Sequence, residues 1–232
     1  MNQDFFRLNP HIMFYLILGG SLLILRMPLI GKYFRTLNTL LHESGHAIAA
    51  ILTSGEVLKI ELGSDTSGSA YTRSGSKLKA MFVSFAGYPA AALFSALMLA
   101  FAVNNQPKIV FFILLTVALL NLALFVRNTY GIAWLLTFSA LILLIFSVGN
   151  NELNYVFTLA VSLISLSETV YSTLIILFLS ISRPRKAGDA TNLAKISKVP
   201  AAIWGLLVSM MVAFIVYYTV FHFFPFPLKP IT

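Results

Sequence analysis

Long apolar stretches follow one another along almost the whole chain, at roughly 12–30, 36–54, 79–103, 108–126, 130–148, 154–181 and 200–223. A helix crosses the hydrocarbon of a bilayer with about 20 mostly apolar residues, and each stretch is close to or above that length. Composition points the same way. Of 232 residues, 58% are hydrophobic and 10% charged, with a mean hydropathy of +0.86. A soluble domain carries about 25% charged residues and cannot hide so much apolar surface at this size. The expected fold is an all-α polytopic membrane protein of about seven transmembrane helices, one membrane-embedded domain over 1–232. Arg26 interrupts the first stretch and no small-residue cleavage site follows, so it reads as an uncleaved span. The second stretch is the weakest, because Thr39, His42, Glu43, Ser44 and His46 lie inside it.

The net charge of +8 and pI near 9.8 do not come from a basic run interleaved with aromatics, so nucleic acid is not an expected partner. In a membrane protein the excess of Lys and Arg reports topology instead. With seven alternating spans, one side holds Arg7, Lys59, Arg73, Lys77, Lys79, Arg127, Arg183, Arg185, Lys186, Lys195 and Lys198. The other holds Lys32, Arg35, Lys108 and Lys229. This predicts a multi-pass protein of the cell membrane with its N-terminus cytoplasmic and its C-terminus outside. The absence of cysteine excludes thiolate metal sites, disulfides and a cysteine nucleophile.

Two loops carry patterns of their own. Residues 56–62 alternate apolar and charged at period 2, a turn-rich segment from Gly63 to Ser69 follows, and then comes Ala70-Tyr71-Thr72-Arg73. This predicts a cytoplasmic β-hairpin over 56–73. The basic loop 182–199 contains one acid, Asp189.

His42-Glu43-Ser44-Gly45-His46 fits His-Glu-x-x-His, within a predicted helix over 36–54. Positions i and i+4 share a helix face, so both imidazoles can reach one zinc ion, with Glu43 beside the first as proton acceptor. Such groups inside an apolar span are costly unless they serve a purpose. A catalytic zinc needs a third protein ligand. His11 and His222 read as interfacial residues, and Asp4, Glu56, Glu61, Asp65 and Glu152 as solvated acids. Asp189, ahead of the last span, and Glu168, inside the sixth, remain as alternatives for that ligand. Asp189 also reads as the N-cap of a short helix over 190–197.

The segment Leu41-His42-Glu43-Ser44-Gly45-His46-Ala47, followed by the hairpin and by Phe82-Val83-Ser84-Phe85-Ala86-Gly87-Tyr88-Pro89, resembles the site-2 protease family of intramembrane zinc metalloproteases. The likeness is greatest to its compact metallopeptidase-like branch without a PDZ domain, which Gly188-Asp189-Ala190 and Ile203-Trp204-Gly205 also resemble. Ala91 stands where that family often has Asn. The resemblance implies hydrolysis of a peptide bond in a membrane-anchored protein, with zinc-bound water activated by Glu43 and Asp189 as third ligand by analogy. Locally unwound substrate would add as a strand to the hairpin, at Val57, Leu58, Lys59 and Ile60. Gly87 and Pro89 are expected either to pack helices closely or to touch substrate. The competing readings are a proteolytically inactive relative that binds or regulates partner helices, and a transporter using the same polar groups.

Overall fold

A computed structural model describes residues 9–225; Asp4, Arg7 and Lys229 lie outside the described residues. Within them the chain is almost entirely helical. Helix α1 (Pro10–Arg26) starts on Asn9, whose side chain accepts from the His11 amide, with Pro10 in the first turn where its missing N–H costs nothing. Helix α2 (Ile30–Leu52) leads into strands β1 (Glu56–Leu62) and β2 (Gly68–Arg73). Helices α3 (Lys77–Val103), α4 (Pro107–Leu120), α5 (Thr129–Ser147), α6 (Asn151–Ser182), α7 (Gly188–Ser197) and α8 (Ala201–Phe223) complete the order. Ser76 caps α3 and Asn150 caps α6 through side-chain acceptors. Helix α3 continues through Pro89 without a break.

The seven expected spans are not seven separate transmembrane helices. Among the described residues, α3, α4 with its π-helical extension to Phe125, α5, α6 and α8 are each long and apolar enough to cross a membrane. The first two stretches instead form a broken pair, α1 and α2, bent by 100°. Pro28 explains the break. It lacks an N–H and drives Met27 out of the helical region, where φ is −72° and ψ is 130°. Gly31 then lies against the Leu25 carbonyl, where a Cβ would meet that oxygen at 2.6 Å. Helix α1 is 17 residues long and α2 carries the polar groups of the His-Glu-x-x-His segment, so neither passes alone.

The first and last helices also meet at their ends. Tyr15 donates to the Pro225 carbonyl at 3.1 Å, and the rings of Phe14 and Phe224 meet edge-on at 5.0 Å. The start of α1 thus lies beside the end of α8, on one face of the bundle, where an odd number of spans would separate them. Large apolar side chains such as Leu23, Phe112, Phe178 and Phe214 point outward, as a lipid-facing surface requires.

The hairpin forms where it was expected. Its antiparallel register runs from Glu56 opposite Arg73 to Leu62 opposite Gly68, with an irregularity between Val57 and Lys59. That bulge breaks the period-2 pattern and turns Leu58 outward, while Ile60 and Leu62 stay fully buried. Glu56 pairs with Arg73 at 2.9 Å and Glu61 with Lys59 at 2.7 Å, both on the exposed side. The outer edge of β1 is partly occupied: Ile60 bridges Val126, and Arg127 donates its amide to the Ile60 carbonyl at 3.2 Å. Asn128 completes the anchorage. Its side chain accepts from the Leu62 amide at 3.1 Å and donates to the Leu62 carbonyl at 2.7 Å.

Asn128→Ala removes both bonds, each worth about 1 kcal/mol net. Amides of the hairpin are expected to exchange about tenfold faster in hydrogen–deuterium exchange, with the helices unchanged. Unchanged hairpin protection would contradict this anchorage.

Candidate metal centre

Helix α2 packs along α3 through small residues. A Cβ at Gly45 would meet the Ala86 carbonyl at 3.1 Å and the Gly87 Cα at 3.3 Å, so the helices approach to backbone contact. Farther along α2, Ser44 donates to the Leu40 carbonyl and accepts from Asn121 at 2.9 Å, at the start of the π-helical turn. Asn38 accepts from Thr169 of α6 at 2.6 Å. These bonds hold α2 in rotation as well as in position, so His42, Glu43 and His46 face one interior space.

His42 and His46 bring their Nε2 atoms to 3.0 Å. His46 Nδ1 lies 2.7 Å from the Val83 carbonyl, which can only accept, so Nδ1 carries the proton and Nε2 keeps its lone pair. The third group comes from α7. Asp189 Oδ2 is 3.1 Å from His42 Nε2 and 3.3 Å from His46 Nε2. Burial alone would raise the Asp189 carboxyl, but the His46 and His42 imidazoles hold it well below the ordinary carboxylate range.

The segment 182–199 is therefore more than a basic loop. After a short 3₁₀ turn it folds as α7, which reaches inward to the two imidazoles. Asp189 sits in the first turn of α7 and caps nothing. Thr191 closes that turn instead, accepting from the Ala187 amide and donating to the Pro184 carbonyl. Ala187 and Ala190 are buried with Ile176 and Ala201, and Tyr88 and Trp204 pack on them. Trp204 Nε1 donates to Ser197 at 2.9 Å, tying the end of α7 to α8. The three-residue group that could hold an ion does not include Glu168, the other candidate ligand.

The donor set has the spacing of a metal site. His42, His46 and Asp189 each offer one atom, all within 4.8 Å of one another. Donors about 2.0–2.2 Å from a tetrahedral ion lie about 3.3 Å apart, close to the distances found here. Gly87 makes the room. A Cβ there would meet His42 Cε1 at 2.5 Å and His46 Nε2 at 2.6 Å.

A Peptidase M50B-like family model matches residues 15–219. The chain belongs to this family. No curated protein and no solved structure matches it. As an M50 member the protein is an intramembrane metallopeptidase in kind, from a family of zinc enzymes that act on membrane proteins within a lipid environment.

In this M50B-like chain a cavity of about 620 Å³ opens over the donor set. Glu43 is buried at its floor, with Gly68 of β2 directly above: a Cβ there would meet the Glu43 carboxylate at 2.6 Å. Thr66 to Thr72 line the cavity in unbroken succession, whereas none of Val57, Leu58, Lys59 and Ile60 does. The strand residues expected to meet substrate thus lie outside this lining. β1 is hemmed in by Val126 and Arg127, and β2 faces the site. Gly87 lies against the imidazoles rather than in the cavity wall, and Pro89 is buried within α3. Tyr88, Asn192 and Ser172 line the cavity and were not singled out in the sequence. Asn192 stands one helical turn after Asp189, a spacing that would have pointed to it once that acid was accepted.

Gly87→Ala is expected to weaken zinc binding tenfold or more, the order found for residues that orient metal ligands. Asp189→Ala is expected to lose the metal and Glu168→Gln to retain it. Zinc per chain, measured by mass spectrometry after competition with a chelator, checks all three. Loss of zinc in Glu168→Gln with retention in Asp189→Ala would reverse the ligand assignment.

Proposed function

We propose that this chain is an intramembrane zinc metalloprotease that hydrolyses a peptide bond of a membrane-anchored protein. The observation that carries the reading is the meeting of His42, His46 and Asp189 beside the buried Glu43, beneath the edge of β2. His42 Nε2, His46 Nε2 and Asp189 Oδ2 would hold zinc. When bound, zinc supplies the Lewis acidity that lets water attack a peptide carbonyl near neutral pH. Glu43 accepts the proton that the attacking water releases and returns it to the nitrogen of the leaving amine.

The hairpin supplies the substrate platform. Consecutive residues of β2 face the cavity, which is the signature of a strand edge rather than a strand face. An extended substrate segment can pair there through main-chain bonds, with little demand on its sequence. Such pairing also keeps an unwound segment's polar backbone satisfied where water is scarce. The hairpin, Arg127 and 183–198 carry most of the basic residues outside the apolar spans, so by the positive-inside bias the site opens toward the cytoplasm.

Glu43→Gln is expected to keep zinc and to lose cleavage by at least about a hundredfold. His46→Ala is expected to lose both. The measurement is release of a fragment from a co-reconstituted single-span reporter, with zinc content read in parallel. Undiminished cleavage by Glu43→Gln would overturn the reading.

A further inference from the structure

Residue 88 has a place in the site that neither the donor set nor Glu43 explains. Gly87 presses the α3 backbone onto both imidazoles, and the next residue, Tyr88, turns its ring edge-on to His42 at a centroid distance of 4.4 Å. The other side of the ring packs on the small cluster of Ile176, Ala187, Ala190 and Ala201, so its direction is set from both sides. Tyr88 lines the cavity, within electrostatic reach of Asp189 and Glu43. Its hydroxyl makes no hydrogen bond to the described residues and is not among their fully enclosed unpartnered polar atoms, so it stays accessible from the cavity that Tyr88 lines. A rigid donor without a partner, on the wall of a reaction cavity, is what a developing negative charge requires.

We propose that Tyr88 is a catalytic residue whose phenol hydrogen-bonds the oxyanion of the tetrahedral intermediate. The step rests on the proteolytic reading above. Water oxygen bonds to the carbonyl carbon, the carbonyl π pair moves onto its oxygen, and Glu43 takes the proton that water gives up. The Tyr88 O–H donates a hydrogen bond to that oxygen and keeps its proton. Collapse re-forms the carbonyl and breaks the C–N bond, and the proton held by Glu43 passes to the amine. Peptide and water are consumed, acid and amine are produced, and Tyr88 is unchanged. The ring has a second duty: it braces α7 against α3 and so positions Asp189.

Tyr88→Phe separates the two duties, since it keeps the ring and removes only the hydroxyl. The probes are fluorescently labelled casein, an unfolded chain that needs no unwinding, and a Leu–Ala phosphinic dipeptide, whose tetrahedral anion mimics the intermediate. For Tyr88→Phe, kcat on casein is expected to fall about a hundredfold, the scale for losing one oxyanion donor. KM and zinc per chain are expected to stay within about twofold, because ground-state binding and the metal ligands are untouched. Phosphinate affinity is expected to fall at least about tenfold, a second readout independent of turnover. Unchanged kcat and unchanged phosphinate affinity in Tyr88→Phe, beside an inactive Glu43→Gln, would overturn the role of Tyr88 and leave the protease reading standing. Wild-type protein that neither cleaves casein nor binds the phosphinate, or Glu43→Gln as active as wild type, would overturn both.

Discussion

At Gly87 the backbone of α3 lies directly against the rings of His42 and His46, and the spacing of three helices follows from that contact. A methyl group there would push the rings away from Asp189. The Gly45 approach brings α2 and α3 close enough for the Val83 carbonyl to accept a hydrogen bond from His46 Nδ1. The same closeness leaves Tyr88 to fill the gap toward α7. In a bundle with few charges, polar groups at this depth are tolerable only if each is satisfied by another or by a ligand. The bonds from Thr169 to Asn38 and from Asn121 to Ser44 fix the helix that carries the centre, while the Asn121 Oδ1 has no partner among the described residues.

Local patterns are legible in this sequence, and long-range ones less so. His42 and His46 were legible because four residues on a helix return to the same face, which needs no knowledge of tertiary structure. The hairpin was legible because a period-2 run beside a Gly- and Ser-rich turn is itself a local signal. Which of its strands lines the cavity was not, because the edge of β1 is occupied by Val126, Arg127 and Asn128, more than 50 residues away. Asp189 and Glu168 stood as alternatives because hydropathy alone does not say that 188–197 folds as a helix reaching inward. What brings Asp189 to the imidazoles is the pairing of Thr191 with the chain before α7, whereas Glu168 stays outside the group.

The count of spans failed for a related reason. A sliding measure of apolarity sees two stretches in 12–54, but the break at Met27-Pro28 is a backbone event. The chain then turns by 100°, and α2 runs beside the hairpin instead of joining a row of parallel spans. The consequence reaches the site, since Thr39 of α2 donates to the Thr66 carbonyl in the hairpin turn at 2.8 Å. The hairpin thus lies over Glu43, beside the helix that follows the bend.

The central claim is that two α2 imidazoles and the α7 carboxylate form one metal centre. Zinc K-edge X-ray absorption on protein purified from metal-replete cells tests it most directly. The account predicts about one zinc per chain, with two imidazole nitrogens and oxygen donors at about 2.0–2.2 Å. Protein free of zinc, or a shell with one imidazole or none, would contradict it.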